Sequence, residues 1–220
     1  MAVAGRDAGA LADVEADLHI EADTTNAQGA VEALAACARA WGEPPDWLAH
    51  CVGSTLIAPL HRSSAEQIGE LLRVNLESAL HVLKAWVDAR RAMAGGAGGG
   101  SAVFVSSVVA RIGVANHEAI AAAKGGVEAL VRSAAATYAP LGLRVNAVAP
   151  GLTATPLTEG LLKVEAMREA AARQYPLGGV QTADQVAEVM CWLLSDAARR
   201  ITGQIIPVDG GFCAVRPLVK

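Results

Sequence analysis

The sequence predicts an α/β domain in which a parallel sheet is covered by helices on both faces. Two observations carry that prediction. Short apolar runs alternate with longer segments of helical period along the whole chain, the pattern of strands joined by helical crossovers. With 220 residues, 53% of them hydrophobic, the chain can also bury one such core and gives no reason for a second domain.

In chain order, strands are expected near Ala2–Ala4 and Leu18–Glu21, followed by a helix over Asn26–Trp41 with Thr25 as its capping candidate. A strand over Trp47–Val52 leads to a long helix over Ala65–Met93, capped by Ser64. Ile68, Leu71, Leu72, Leu76, Leu83, Trp86 and Val87 recur on that helix at helical spacing. The segment Ala94–Ser101 is almost entirely glycine and alanine and reads as a mobile connection. A strand over Ala102–Ser106, a helix over Glu118–Tyr138 carrying Val127, Leu130 and Val131, and a strand over Arg144–Ala149 follow. Helices over Glu159–Arg173 and Ala183–Ser195, the latter capped by Thr182, precede a last strand over Gln204–Val208. Most of the apolar stripes are core. Trp86, Trp192 and Phe212 are expected at subunit contacts, where large aromatics are enriched. The tail Cys213–Lys220 is apolar for a chain end and is expected to reach a neighbouring subunit.

Composition excludes several function classes. A net charge of −4 argues against a nucleic-acid surface. No apolar run approaches 20 residues, so no membrane span is expected. The start lacks a charged leader with an apolar stretch, so no secretory signal is read. Cys37, Cys51, Cys191 and Cys213 show neither pairing nor metal spacing, which suits reduced thiols in a cytoplasmic protein with no metal. His50 and Cys51 are adjacent on a strand and point to opposite faces, so a satisfied histidine and a buried cysteine are expected rather than a ligand pair.

The motifs are more specific than the composition. The run Ser101–Ser107 is apolar and ends in two hydroxyls. Gly113 follows, then a helix carrying Lys124, then Leu143–Gly151 reading Leu-Arg-Val-Asn-Ala-Val-Ala-Pro-Gly, and finally Ile201–Gly211 reading Ile-Thr-Gly-Gln-Ile-Ile-Pro-Val-Asp-Gly-Gly. From about Ala2 to Phe212 the chain resembles the short-chain dehydrogenase/reductase family. That resemblance implies a Rossmann-like doubly wound sheet. It also implies a site in which a serine orients the substrate oxygen, a tyrosine passes the proton, and a lysine four residues later lowers the tyrosine pKa and holds the nicotinamide ribose. Ser107, Lys124 and Asn75 match that set. Ile120 stands in the tyrosine position and has no ionisable proton, so it cannot serve as general acid or base.

The front departs as well. Ala2–Asp7 looks like the family's second strand and Leu18–Thr24 like its third, so the first strand, glycine turn and first helix, on the order of 30 residues, are missing. A rival alignment sets Gly5 and Gly9 against the glycine turn. It puts Leu11 in the third glycine position and leaves only 18 residues to Asp23. In the family's strand order the missing strand is central. The Ala2–Ala4 strand is therefore expected to move beside Trp47–Val52, or the N-terminal segment to rearrange. Arg6, Asp23 and Thr24 sit where relatives touch adenosine and are expected to be surface residues. Of the family's Asn-Asn-Ala-Gly, only Gly53 remains in His50-Cys51-Val52-Gly53. Ile120 and His50–Val52 depart from the pattern whatever precedes Met1.

No other residue is well placed to replace the tyrosine. His117 and Glu118 precede Ile120 by too little to share its direction. Tyr138 lies about 27 Å further along the helix. Tyr175, the other tyrosine, falls in the segment that covers substrate in relatives. The resemblance therefore implies an inactive subunit with no cofactor or metal of its own. It would form a heterotetramer with an active short-chain dehydrogenase paralogue that binds NAD or NADP. Two other readings stay open: a non-redox cyclase or dehydratase using Ser107, His117 or Tyr175, and a homo-oligomeric ligand-binding protein.

Overall fold

The structure, a computed structural model, describes residues 1–93 and 99–216. Its principal sheet has the order β3-β4-β5-β8, with β3 at Trp47–His50, β4 at Gly100–Val105, β5 at Leu143–Pro150 and β8 at Ile205–Val208. All three pairings are parallel. Parallel neighbours need crossover connections, and the helices supply them.

Three long helical units cover one face. They are α2 (Ala27–Trp41), the composite of α3 (Ala65–Leu72) with α4 (Ser78–Arg91), and α5 (Glu118–Tyr138). Leu34, Val82, Trp86, Val127 and Val131 from these helices pack on Phe104, Val145 and Ala147 of the sheet. The opposite face is covered by α8 (Ala183–Leu194), whose Val186, Met190 and Leu193 pack on Val103 and Val148. The alternation of side chains along each strand makes this division possible. It is the doubly wound arrangement expected from the sequence.

Local chemistry explains the helix boundaries. Ser64 and Gln67 form a reciprocal capping box at the start of α3, and Thr182 and Gln185 do the same for α8. Asn26 caps α2, its side chain accepting from Gly29 N at 2.9 Å, whereas the expected cap Thr25 hydrogen-bonds Asp23 instead. Gly29 is required there, because a Cβ would stand 2.1 Å from the Asp23 carbonyl oxygen. The expected single helix over Ala65–Met93 is interrupted by one π turn, Arg73–Glu77, which contains Asn75.

The N-terminal expectation is overturned. β1 (Ala2–Gly5) pairs in parallel with β2 (Leu18–Glu21) and does not move beside β3, so these two strands form a small parallel sheet separate from the principal one. Ala2, Leu18 and Ile20 share the core under α2, and shifting β1 would strip those contacts. A five-residue helix that the sequence reading missed, α1 (Ala8–Ala12), joins β1 to β2 and buries Leu11.

Other expectations need correction. Trp86 is wholly buried, its indole N–H donating to Pro45 O at 2.8 Å, so it is core and not a contact residue. Phe212 keeps a half-buried ring, packed on that of Tyr175 with centroids 5.0 Å apart, which does not bear on its expected place at a subunit contact. The segment read as one helix over Glu159–Arg173 is split into α6 (Glu159–Leu162) and α7 (Glu165–Ala172), set between two short paired strands, β6 (Thr153–Ala154) and β7 (Gln181–Thr182). Residues 94–98 of the glycine-rich connection and 217–220 of the tail lie outside the described residues.

Candidate active site

The residues singled out in the sequence gather at the C-terminal ends of β3, β4 and β5. Lys124 on α5 is buried and donates from Nζ to Val105 O, 2.9 Å away, where β4 ends. Burial lowers its ammonium pKa to about 8. Asn75, in the π turn, accepts from Ser54 N at 3.2 Å and donates to Ser54 Oγ at 3.1 Å and Leu71 O at 3.0 Å. It thereby ties the loop after β3 to the helix. A Cβ at Gly53 would lie 3.1 Å from Asn75 Oδ1 and 3.4 Å from Lys124 Nζ, so the backbone passes both side chains closely. Ser107 caps the short turn after β4, its Oγ accepting from Val109 N at 3.3 Å.

Ile120 is 4% exposed and sits in an apolar cluster with Leu71 and Ala119, against which Leu56, Ile68 and Val109 pack. An alkyl side chain among alkyl side chains moves no proton.

None of the sequence candidates stands ready in its place. Tyr175 accepts at its hydroxyl from Leu152 N at 2.7 Å and lies against Gly151, where a Cβ would meet its ring at 2.6 Å. Its ring and hydroxyl clamp the loop after β5 to the segment after α7. Burial also raises its pKa, which opposes a role as proton relay. His117, partly exposed at the start of α5, is turned back on Ala115 O at 2.7 Å.

Two features were invisible in the sequence reading. Cys51, expected to be buried, is exposed on the open side of β3. It lies near enough to Lys124 for the ammonium charge to favour its thiolate. His50 behaves as expected of a satisfied histidine: it is buried, with Nε2 3.1 Å from Ser78 Oγ and its ring beside Phe104. The alternation along β3 foretold the two directions but not that one face of the strand is open. Ser106, beside Ser107, donates instead to Glu128 at 3.0 Å, and Arg111 pairs with the same carboxylate at 3.1 Å.

The adenosine side fits a dinucleotide poorly. Even under the rival alignment that sets Gly5 and Gly9 against the glycine turn, the chain after β1 enters α1, whose N-cap Asp7 accepts from Ala10 N at 3.0 Å, so a carboxylate occupies the helix start where a phosphate would need free amides. Arg6 is exposed as expected, but Thr24 is buried and Asp23 is engaged by Thr25 at 2.6 Å with Arg73 nearby. Asp23 therefore holds the turn before α2, and neither it nor the buried Thr24 is a free surface group. The residues present do not build a cradle for the pyrophosphate, and no step is derived through a nicotinamide cofactor. Among the described residues no His, Cys, Asp and Glu group is arranged to hold a metal. No helix there is long and apolar enough to cross a membrane.

Comparison with known proteins agrees with the geometry. Residues 3–213 match the family model described as enoyl-(acyl carrier protein) reductase. The cis-4-hydroxycyclohexanecarboxylate dehydrogenase of Sinomonas cyclohexanicum is 43% identical over 158 residues, 72% of this chain and 61% of that protein. This chain thus spans about three-fifths of that relative's length. The inactive 2-(S)-hydroxypropyl-CoM dehydrogenase 2 of Xanthobacter autotrophicus is 33% identical over 204 residues, covering 89% of this chain and 85% of that one. Among solved structures, a short-chain type dehydrogenase/reductase from Mycobacterium ulcerans superposes with a TM-score of 0.88 at 30% identity, over 98% of this chain and 81% of its own. A gluconate 5-dehydrogenase from Burkholderia cenocepacia, in complex with NADP and tartrate, gives 0.85 at 25% identity, over 98% and 86%. The order of the strands, the gathering of Ser107, Asn75 and Lys124 at their ends and these matches make the chain a member of the short-chain dehydrogenase/reductase family.

Proposed function

We propose that this chain is a catalytically inactive subunit of a hetero-oligomeric short-chain alcohol dehydrogenase, standing beside an active paralogue that binds NAD or NADP. The observation that carries the reading is Ile120, buried in an apolar cluster where the family's proton donor belongs. A fold without its chemistry still offers surface, since function lives in sites and not in folds. Leu80 on α4 and Trp192 on α8 are exposed on the elements through which family members assemble, and a degenerate copy can fill the symmetric place in an isologous interface. That a relative of similar length carries the word inactive in its name supports the reading.

The substrate class follows more loosely from the pattern of losses. That pattern resembles the inactive subunit of the 2-[hydroxy(phenyl)methyl]succinyl-CoA dehydrogenase of anaerobic toluene degradation. On this reading the active partner oxidises the alcohol of a hydroxyacyl-CoA to a ketone. The cyclase or dehydratase alternative has less support, because the Ser107 and Tyr175 oxygens it needs are engaged by backbone amides.

Recovery of the complex from its source through a tag on this chain tests the proposal. Co-purification of an intact short-chain dehydrogenase, with nucleotide in that partner's proportion, is the expected result. Recovery of this chain alone would sink it. In addition, Ile120→Tyr in the 220-residue chain should give no NAD(P)-dependent turnover, since a tyrosine restores the proton but not the phosphate cradle. Turnover after that one change would show that a cofactor pocket survives.

A further inference from the structure

We draw no further inference here: the strongest candidate, the exposed Cys51 thiol beside the buried Lys124 ammonium at the C-terminal end of β3, carries nothing, because it is a lone cysteine whose neighbouring lysine already donates to Val105 O, and nothing among the described residues shows what ligand it would take.

Discussion

His50→Asn should flatten the acid side of the stability curve. His50 lies buried on β3 between the Phe104 ring and Ser78. The Ser78 hydroxyl donates its proton to Val74 O at 2.5 Å, so its lone pairs are left to receive Nε2–H from the imidazole. The ring is therefore held neutral with its proton on Nε2. Burial, assisted by the positive charge of Lys124, lowers its pKa from 6.5 to about 4. In the unfolded chain the same ring titrates near its ordinary value. Between those two pH values the unfolded state binds more protons than the folded one, so stability rises with pH across the window and falls as the solution is acidified. The folded-state advantage is complete above about pH 7 and lost by about pH 4. At 1.36 kcal/mol per pH unit the full loss is about 3 kcal/mol, of which roughly 2 kcal/mol appears by pH 4.5. Urea denaturation of both proteins at pH 7 and pH 4.5 measures it. The difference between their losses isolates His50, because Asp17, Asp23 and Glu66, whose pKa values are also lowered, titrate in both proteins. Equal losses in the two proteins would refute the assignment of a neutral, buried imidazole.

Lys124→Met should act at the opposite end of the scale. The folded ammonium titrates near 8 against 10.5 in the unfolded chain, so the native protein gains stability as pH rises from 8 to 10.5, and the variant should lose that slope in thermal melts. Gly29→Ala forces a methyl group to 2.1 Å from the Asp23 carbonyl and should cost about 3 kcal/mol or more in urea, with a second, milder probe in the shorter lifetime of the α2 amides. Tyr175→Phe leaves Leu152 N without its acceptor. It should cost about 1–2 kcal/mol and speed proteolysis between Gly151 and Gln181, whereas unchanged proteolysis would deny Tyr175 its role as a clamp.

The fold was legible where one periodicity decided one element. The apolar runs at Ala102–Ser106 and Arg144–Ala149 could only be buried strands, and the capping boxes at Ser64 and Thr182 stand where those residues announced them. What could not be read depended on which elements meet. Trp86 looked like an interface aromatic because a sequence does not show that Pro45 O waits for its indole N–H. The π turn at Arg73–Glu77 has no signature in a run of helical period. Gly29 reads as a weak helix residue until the carbonyl of Asp23 is placed against it. The position of β1 was misjudged because closing a gap between strands was weighed and the cost of leaving the α2 core was not. At the site, the departure at Ile120 followed from the family resemblance, which implies a tyrosine four residues before Lys124. The fate of Cys51 could not be read, since alternation gives a side chain's direction and says nothing of whether a neighbour covers that direction.

The polar residues kept around Ile120 need no chemistry to explain them. Asn75 supplies the partners of Ser54 N and Ser54 Oγ and a donor to Leu71 O. Lys124 gives a donor to Val105 O at the end of β4, and Ser107 receives Val109 N where the chain turns. A buried polar group left unsatisfied costs on the order of 1–3 kcal/mol, a large share of a domain's net stability, so removing any one of these side chains would harm the fold before any reaction was considered. The tyrosine is the exception. At its position the native side chain is packed by Leu56, Ile68, Leu71 and Val109, and an alkyl group satisfies that surrounding without leaving a backbone group unpaired. A short-chain dehydrogenase fold can therefore lose its proton donor at little structural cost while Ser107, Asn75 and Lys124 stay bound to the backbone they support. On the proposed reading, the presence of those three residues bears on the architecture, and Ile120 alone bears on turnover.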